Sequence, residues 1–216
     1  VPPISARALV RIQSQDSTPP LQAIVGVEID PRDFSTSSLL AHYDAARKDS
    51  IIAAGNWVEE WKDLSGNNHH LSSASGFGPQ ISSFSTLQGL DFFPEKGLQA
   101  QAVPLGENVT IFMAIKPSAE IRTWGSYIHH GNHDDDWAIR MNGPPGSKTG
   151  FHSSNDNEIV HDFLDPNFTY VLVGRLETSP NSGTDRRSFK IFRSDGNEST
   201  ISSSTLQKTI SSGVKP

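Results

Sequence analysis

Two stretches of this chain concentrate the side chains able to do chemistry. The first is YIHHGNHDDDWAIR, Tyr127 to Arg140, where three histidines and three aspartates fall within fourteen residues. The adjacent carboxylates of Asp134, Asp135 and Asp136 could present oxygens to calcium, which takes six to eight of them. SSNDNE, Ser153 to Glu158, could add more. The histidine spacing does not fit the H-E-x-x-H zinc motif, and the context is strand and turn rather than helix. His129 and His130 are neighbours on an extended chain, so they point to opposite faces and at most one enters any single site. The same region suits a sugar, which needs planar polar groups for its hydroxyl pairs and an aromatic for its apolar face. The candidate ligand-binding residues are Trp124, His133, Asp134, Asp135, Asn155 and Asp156.

The second stretch is WKDLSGNNHHLSS, Trp61 to Ser73. Asp63 can accept hydrogen bonds from backbone two or three residues on, and Ser65-Gly66-Asn67 tolerates tight or left-handed turns. Trp61 is expected in the core. His69 and His70 again split between faces, which disfavours a metal pair. The stretch therefore reads as a built turn.

Tests for catalysis find little. Glycosidases need two carboxylates about 5–9 Å apart, commonly delivered by alternating acids on one strand face. No E-x-D-x-E run occurs, and Glu59-Glu60 are adjacent, so they face opposite ways. There is no G-x-S-x-G elbow, and GPPGSKTG lacks the spacing of a phosphate loop. A polysaccharide lyase using Tyr127, His130 or His152 as base stays open.

The elements that must position these groups are strands. The composition is rich in Ser, Thr, Gly, Pro and Asn, with helix formers sparse outside one segment. ALVRIQ and LQAIVGVEID suggest short strands in an N-terminal arm, residues 1–30. DAARKDSIIAAG, Asp44 to Gly55, reads as the one short helix, capped by Asp44 and ended by Gly55. Beyond it come short apolar runs: WVEEWKD, LDFF, GLQAQAV, VTIFMAIKP, WGSYIHHG, DWAIRMN, EIVHDF, FTYVLVGRL and SFKIFRSDG. In VTIFMAIKP, Val109, Ile111, Met113 and Ile115 share one face. Tyr170-Val171-Leu172-Val173 is apolar on both faces, which predicts a central strand. Trp57, Trp61 and Trp137 lie within strand patterns and are expected in the core. Strands every eight to fifteen residues, punctuated by Gly, Pro, Asn and Ser, indicate an all-β sandwich or barrel.

Charge and composition exclude several classes. Net charge is −6 with no basic block, so there is no face for nucleic acid. No apolar run reaches the eighteen residues of a spanning helix, and VPPISARALV lacks a signal-peptide pattern. There is no cysteine, which removes disulfides, thiolate metal sites and thiol nucleophiles. A chain of 216 residues can bury a core without such staples. Sequons for N-glycosylation stand at Asn108, Asn167 and Asn197, against about two expected by chance. They permit a secretory origin.

Trp57-x-x-x-Trp61-x-Asp63-x-Ser65-Gly66-Asn67-Asn68-His69, followed by GLDFF, VTIFMAIKP, NFTYVLVGRL and SFKIFRSDGN, resembles the laminin-G-like jelly rolls of the concanavalin A-like superfamily. The resemblance covers residues 39 to 196. It implies an antiparallel β-sandwich over residues 31–216, behind the extended arm. The family's closing strands would follow SSGVKP, so the resemblance also implies an edge completed by further chain or by another polypeptide. The expected function is a non-catalytic glycan-recognition or adhesion module of an extracellular or surface protein, calcium-assisted, with a glycan or glycoprotein as partner. The alternatives are a structural assembly module of a larger coat, fibre or array, and the lyase.

Overall fold

A computed structural model describes residues 7–12, 23–28, 39–73, 76–84, 87–92, 96–100, 103–104, 108–117, 126–130, 137–141, 149–153, 159–161, 164–177, 186–203 and 214–215. Among them the regular structure is almost wholly strand. In chain order these are β1 (Arg7–Ile12), β2 (Ala23–Glu28), β3 (Ile51–Ala54), β4 (Trp57–Trp61), β5 (Leu71–Ser72), β6 (Gln80–Phe84), β7 (Leu87–Asp91) and β8 (Val103–Pro104). They continue with β9 (Asn108–Ile115), β10 (Ser126–His130), β11 (Trp137–Met141), β12 (Thr149–Ser153), β13 (Ile159–His161), β14 (Tyr170–Glu177), β15 (Arg186–Arg193), β16 (Glu198–Ser203) and β17 (Val214–Lys215). Every pairing between them is antiparallel. The all-β expectation holds, and no described helix is long and apolar enough to cross a membrane.

The chain divides into two units, one of residues 1–5, 30–104 and 214–216, the other of residues 6–29 and 105–213. In the first, strands run β3-β4-β6-β7 with β5 also on β4, and β8 pairs with β17. The expected helix over Asp44–Gly55 is not formed. Asp44 Oδ1 instead accepts from Ala46 N–H at 2.9 Å to close a turn, Lys48–Ser50 makes a single 3-10 turn, and Ile51 begins β3. The reason is local. The β-branched pair Ile51-Ile52 alternates sides on a half-buried strand. Gly55, at φ 63°, takes the left-handed position of the two-residue turn that leads into β4.

In the second unit, four strands run β10-β11-β12-β13 and four run β16-β15-β14-β9. One apolar cluster joins them: Ile139 and Phe151 from the first sheet meet Leu172, Leu176, Phe189 and Ile191 from the second. The Phe151 and Phe189 rings lie 6.4 Å apart. β14 is an inner strand, as its apolar run predicts, with Leu172 and Leu176 buried and Val171 and Val173 half-buried. On β9, Val109 is buried, Ile111, Met113 and Ile115 are half-buried, and Phe112 and Ala114 are exposed on the far face. A Cβ added at Gly174 would meet Ile139 Cδ1 at 3.5 Å and the Phe151 ring at 3.6 Å, so this glycine lies in ordinary contact distance of the facing sheet. β1 and β2 pair in register from Arg7 with Glu28 to Ile12 with Ala23.

Candidate functional site

The turn after β4 is tied by one carboxylate. Asp63 is 7% exposed. Its Oδ1 accepts from His42 N–H and Ser65 N–H, both at 2.9 Å. Its Oδ2 accepts from the Ser65 hydroxyl at 2.8 Å and from His69 N–H at 3.0 Å. Asp63 N–H donates in turn to His70 Nδ1 at 3.0 Å. Burial pushes the Asp63 pKa upward, but the bonds from His42, Ser65 and His69 outweigh it, and the carboxyl is held below its ordinary range. Gly66 takes a left-handed conformation as the sequence suggests, at φ 92°, and Asn68 rather than Asn67 takes the other, at φ 61°. Asn67 Nδ2 donates to the carbonyls of Leu39 and Leu40 at 2.7 and 3.0 Å. The Tyr43 hydroxyl donates to the His69 carbonyl, and its ring lies 5.5 Å from Trp61. Every polar group of this stretch named here works for the turn. It is architecture.

The six sugar-site residues named from the sequence, Trp124, His133, Asp134, Asp135, Asn155 and Asp156, lie outside the described residues, as does Asp136 of the calcium set. The strand ends around them are described. His130 pairs with Trp137, Trp137 with Ser153, and Phe151 with Ile159. Residues 131–136 and 154–158 are therefore both flanked by strand ends at the same end of one sheet. Trp124 precedes Ser126, which begins β10 at its opposite end, about 13 Å away at strand rise. Among the described residues no three His, Asp or Glu side chains gather to hold a cation.

Of the residues considered for proton abstraction, the side chains of Tyr127 and His130 are described. Tyr127 occupies a register shift between Ser126 and Ile128. Burial raises its pKa, while a hydrogen bond with Thr149 works the other way. A tyrosine base needs a lowered value, so the net direction is unhelpful. His129 is exposed and His130 buried, on opposite faces as the spacing requires. The His152 side chain lies outside the described residues.

A different group stands out on the first unit. Ala54 pairs with Trp57 and Ile52 with Glu60, on one face of β3 and β4; Ala53 pairs with Val58 and Ile51 with Trp61 on the other. Val58 is fully buried and Ile52 is 43% exposed, so the second face is the inner one. Trp61 is on the core side, as expected. Trp57 is not: it lies on the outer face, half-buried, with the Lys96 ammonium 4.9 Å from its ring centroid. The same ammonium is 4.9 Å from the ring of Phe77, which is 59% exposed. Lys96 also donates to the Gly76 carbonyl. Trp57 pairs with Gln80 and Gln80 with Asp91, which places all three in one row on that face.

The loop that carries Phe77 depends on Gly78. A Cβ there would fall 1.7 Å from the Val58 carbonyl oxygen and 2.8 Å from Ser73 Oγ. This approach lets Val58 N–H reach the Pro79 carbonyl at 2.8 Å, and so holds Phe77 beside β4. The sequence signal was present in Gly76-Phe77-Gly78-Pro79, an aromatic between two glycines and ahead of a proline, which cannot be an inner strand. Compared with known proteins, the chain matches no family model, no curated protein and no solved structure.

Proposed function

We propose that this chain is a non-catalytic glycan-recognition module of an extracellular or surface protein, built on a concanavalin A-like β scaffold. The observation that carries the reading is the Trp57–Lys96–Phe77 group on an exposed sheet face, in line with Gln80 and Asp91. A pyranose has an apolar face that stacks on an aromatic ring and a rim of hydroxyls that pair with planar amides and carboxylates. Phe77 supplies the ring, Gln80 and Asp91 the planar groups. The Lys96 ammonium carries three donors, of which one goes to Gly76. Holding that ammonium between two rings fixes it in place, a contact worth about 0.5–1 kcal/mol at an exposed site. Asp134, Asp135 and Asp136 remain the candidate calcium ligands in the sequence of the second unit.

The test is binding of bacterially produced protein to a glycan panel, followed by calorimetry on the best ligand. Phe77→Ala and Lys96→Met should each weaken binding about tenfold, near 1.4 kcal/mol, with melting lowered by no more than about 4 °C. Chelation and Asp134→Ala measure the contribution of the loop end. A folded wild-type protein that retains no glycan, or a Phe77→Ala variant that binds as wild type, defeats the reading.

A further inference from the structure

We infer that Asn167 and Asn197 are a pair of N-glycan acceptors seated side by side on neighbouring turns, an inference that rests on the extracellular reading above. Both turns follow one pattern, Asp-x-Asn-x-Ser/Thr, as Asp165–Thr169 and Asp195–Ser199. In each, the aspartate organises the asparagine two residues on. Asp165 Oδ1 accepts from Asn167 N–H at 2.9 Å and from its Nδ2 at 2.8 Å. Asp195 Oδ1 accepts from Asn197 N–H at 3.2 Å and Oδ2 from its Nδ2 at 2.8 Å. Both asparagines are exposed. The turns are joined: Ser194 N–H donates to the Thr169 carbonyl at 2.9 Å, and Thr169 N–H to Ser194 Oγ at 3.3 Å.

The geometry accepts the modification without rebuilding. In the transfer, asparagine Nδ2 attacks C1 of a lipid-linked oligosaccharide diphosphate. The N–C1 bond forms, the C1–O bond to diphosphate breaks, one amide proton passes to the transferase, and the lipid diphosphate leaves. The glycosylated amide keeps one N–H, which is all that the bond to Asp165 or Asp195 uses. The second acceptor oxygen and the backbone bond stay as they are, so each turn survives with its sugar pointing to solvent.

Position gives the pair a consequence. The turns cap the ends of β14 and β15 beside Tyr170 and Arg193, and Tyr127 packs against the apolar cluster that contains Tyr170. Tyr127 is near the start of β10, whereas residues 131–136 follow its end. Two glycans here would crowd the end of the β14–β15 pair at which both turns lie.

The chain should be translated behind a cleavable signal sequence into endoplasmic-reticulum microsomes. Protease-protected product is then digested with endoglycosidase, and sites are assigned by mass spectrometry. Wild type should carry sugar at both positions, Asn167→Gln and Asn197→Gln should each remove one unit, and the glycosylated form should melt as the bacterial form does. Protected chain left unmodified at either position overturns the inference, as does a glycoform that melts lower. Glycan binding by the bacterial protein is measured separately, so loss of the recognition reading and loss of this one are distinguishable.

Discussion

The Asp63 carboxylate offers the sharpest test of the structure. It accepts four hydrogen bonds, two on each oxygen. In Asp63→Asn, the better amide orientation keeps the carbonyl oxygen under His42 N–H and Ser65 N–H. The amide nitrogen then faces the Ser65 hydroxyl and His69 N–H. The hydroxyl can rotate and accept, but the backbone N–H cannot. One donor is therefore left against another, at a cost of about 1–3 kcal/mol. Asp63→Ala strands all four donors; partial access to water at His42 and His69 moderates the loss, which should reach about 3–5 kcal/mol. Urea unfolding followed by tryptophan fluorescence reads both, since Trp61 adjoins the turn. The pH dependence separates charge from shape. The native carboxyl is held below its ordinary value, so its contribution is present above the unfolded pKa of about 3.9 and is lost as pH falls through the lower, native value. Wild type should lose stability over that acid window, and Asp63→Asn should lose less. An Asp63→Asn cost under about 0.5 kcal/mol, or an identical acid slope, would refute the account.

Two glycines should respond to very different degrees. Gly78→Ala puts a methyl 1.7 Å from the Val58 carbonyl oxygen, backbone that has little freedom to move, so it should cost at least about 3 kcal/mol and lower the melting temperature sharply. Gly174→Ala meets only side chains at 3.5–3.6 Å and should fall within about 1 kcal/mol of wild type, since it also restricts the unfolded chain. Equal effects in thermal melts would mean the Gly78 approach is misjudged. At the turn after β15, Arg193 binds Asp195 through two contacts of 2.9 and 2.7 Å, and its hydrogen bond brings the Asp195 pKa down to about 2. Carbon-detected NMR should find Asp195 titrating near there in wild type and higher in Arg193→Ala, yet still below the ordinary range because Asn197 N–H continues to donate to it; an unshifted wild-type carboxyl would count against the pair.

What the sequence made legible was periodic or chemically self-contained. Alternation placed Val109, Ile111, Met113 and Ile115 on one face of β9, because a half-buried strand repeats every two residues wherever it lies. The Asp63 turn was readable because its donors are mostly local in sequence. The false helix at Asp44–Gly55 had a similar cause in reverse. Its cap was real, but it caps a turn, and Ile51 to Ala54 form a strand whose partner, β4, follows a two-residue turn. Propensity over so few residues yields to pairing. The Lys96 contacts were illegible for another reason. Lys96, Phe77 and Trp57 are brought together by the approach of Gly78 to β4, a long-range event that leaves no periodic trace.

The two tryptophans of β4 show how much depends on one residue of register. Trp57 and Trp61 are four apart, and on a regular strand an even spacing puts both side chains on the same face. Reading them together as core was the natural inference. The pairing shifts between Ile52 and Ala53, where Glu59 has no partner on β3, and a bulge of one residue sends the side chains beyond it to the opposite face. Trp61 thereby meets Tyr43 on the core side, and Trp57 meets Lys96 on the outer one. The bulge thus lets a single five-residue strand serve both the fold and the surface. It also explains how Trp57 reaches the proposed binding face: without the shift, this one of the two rings that steady Lys96 would be on the inner face.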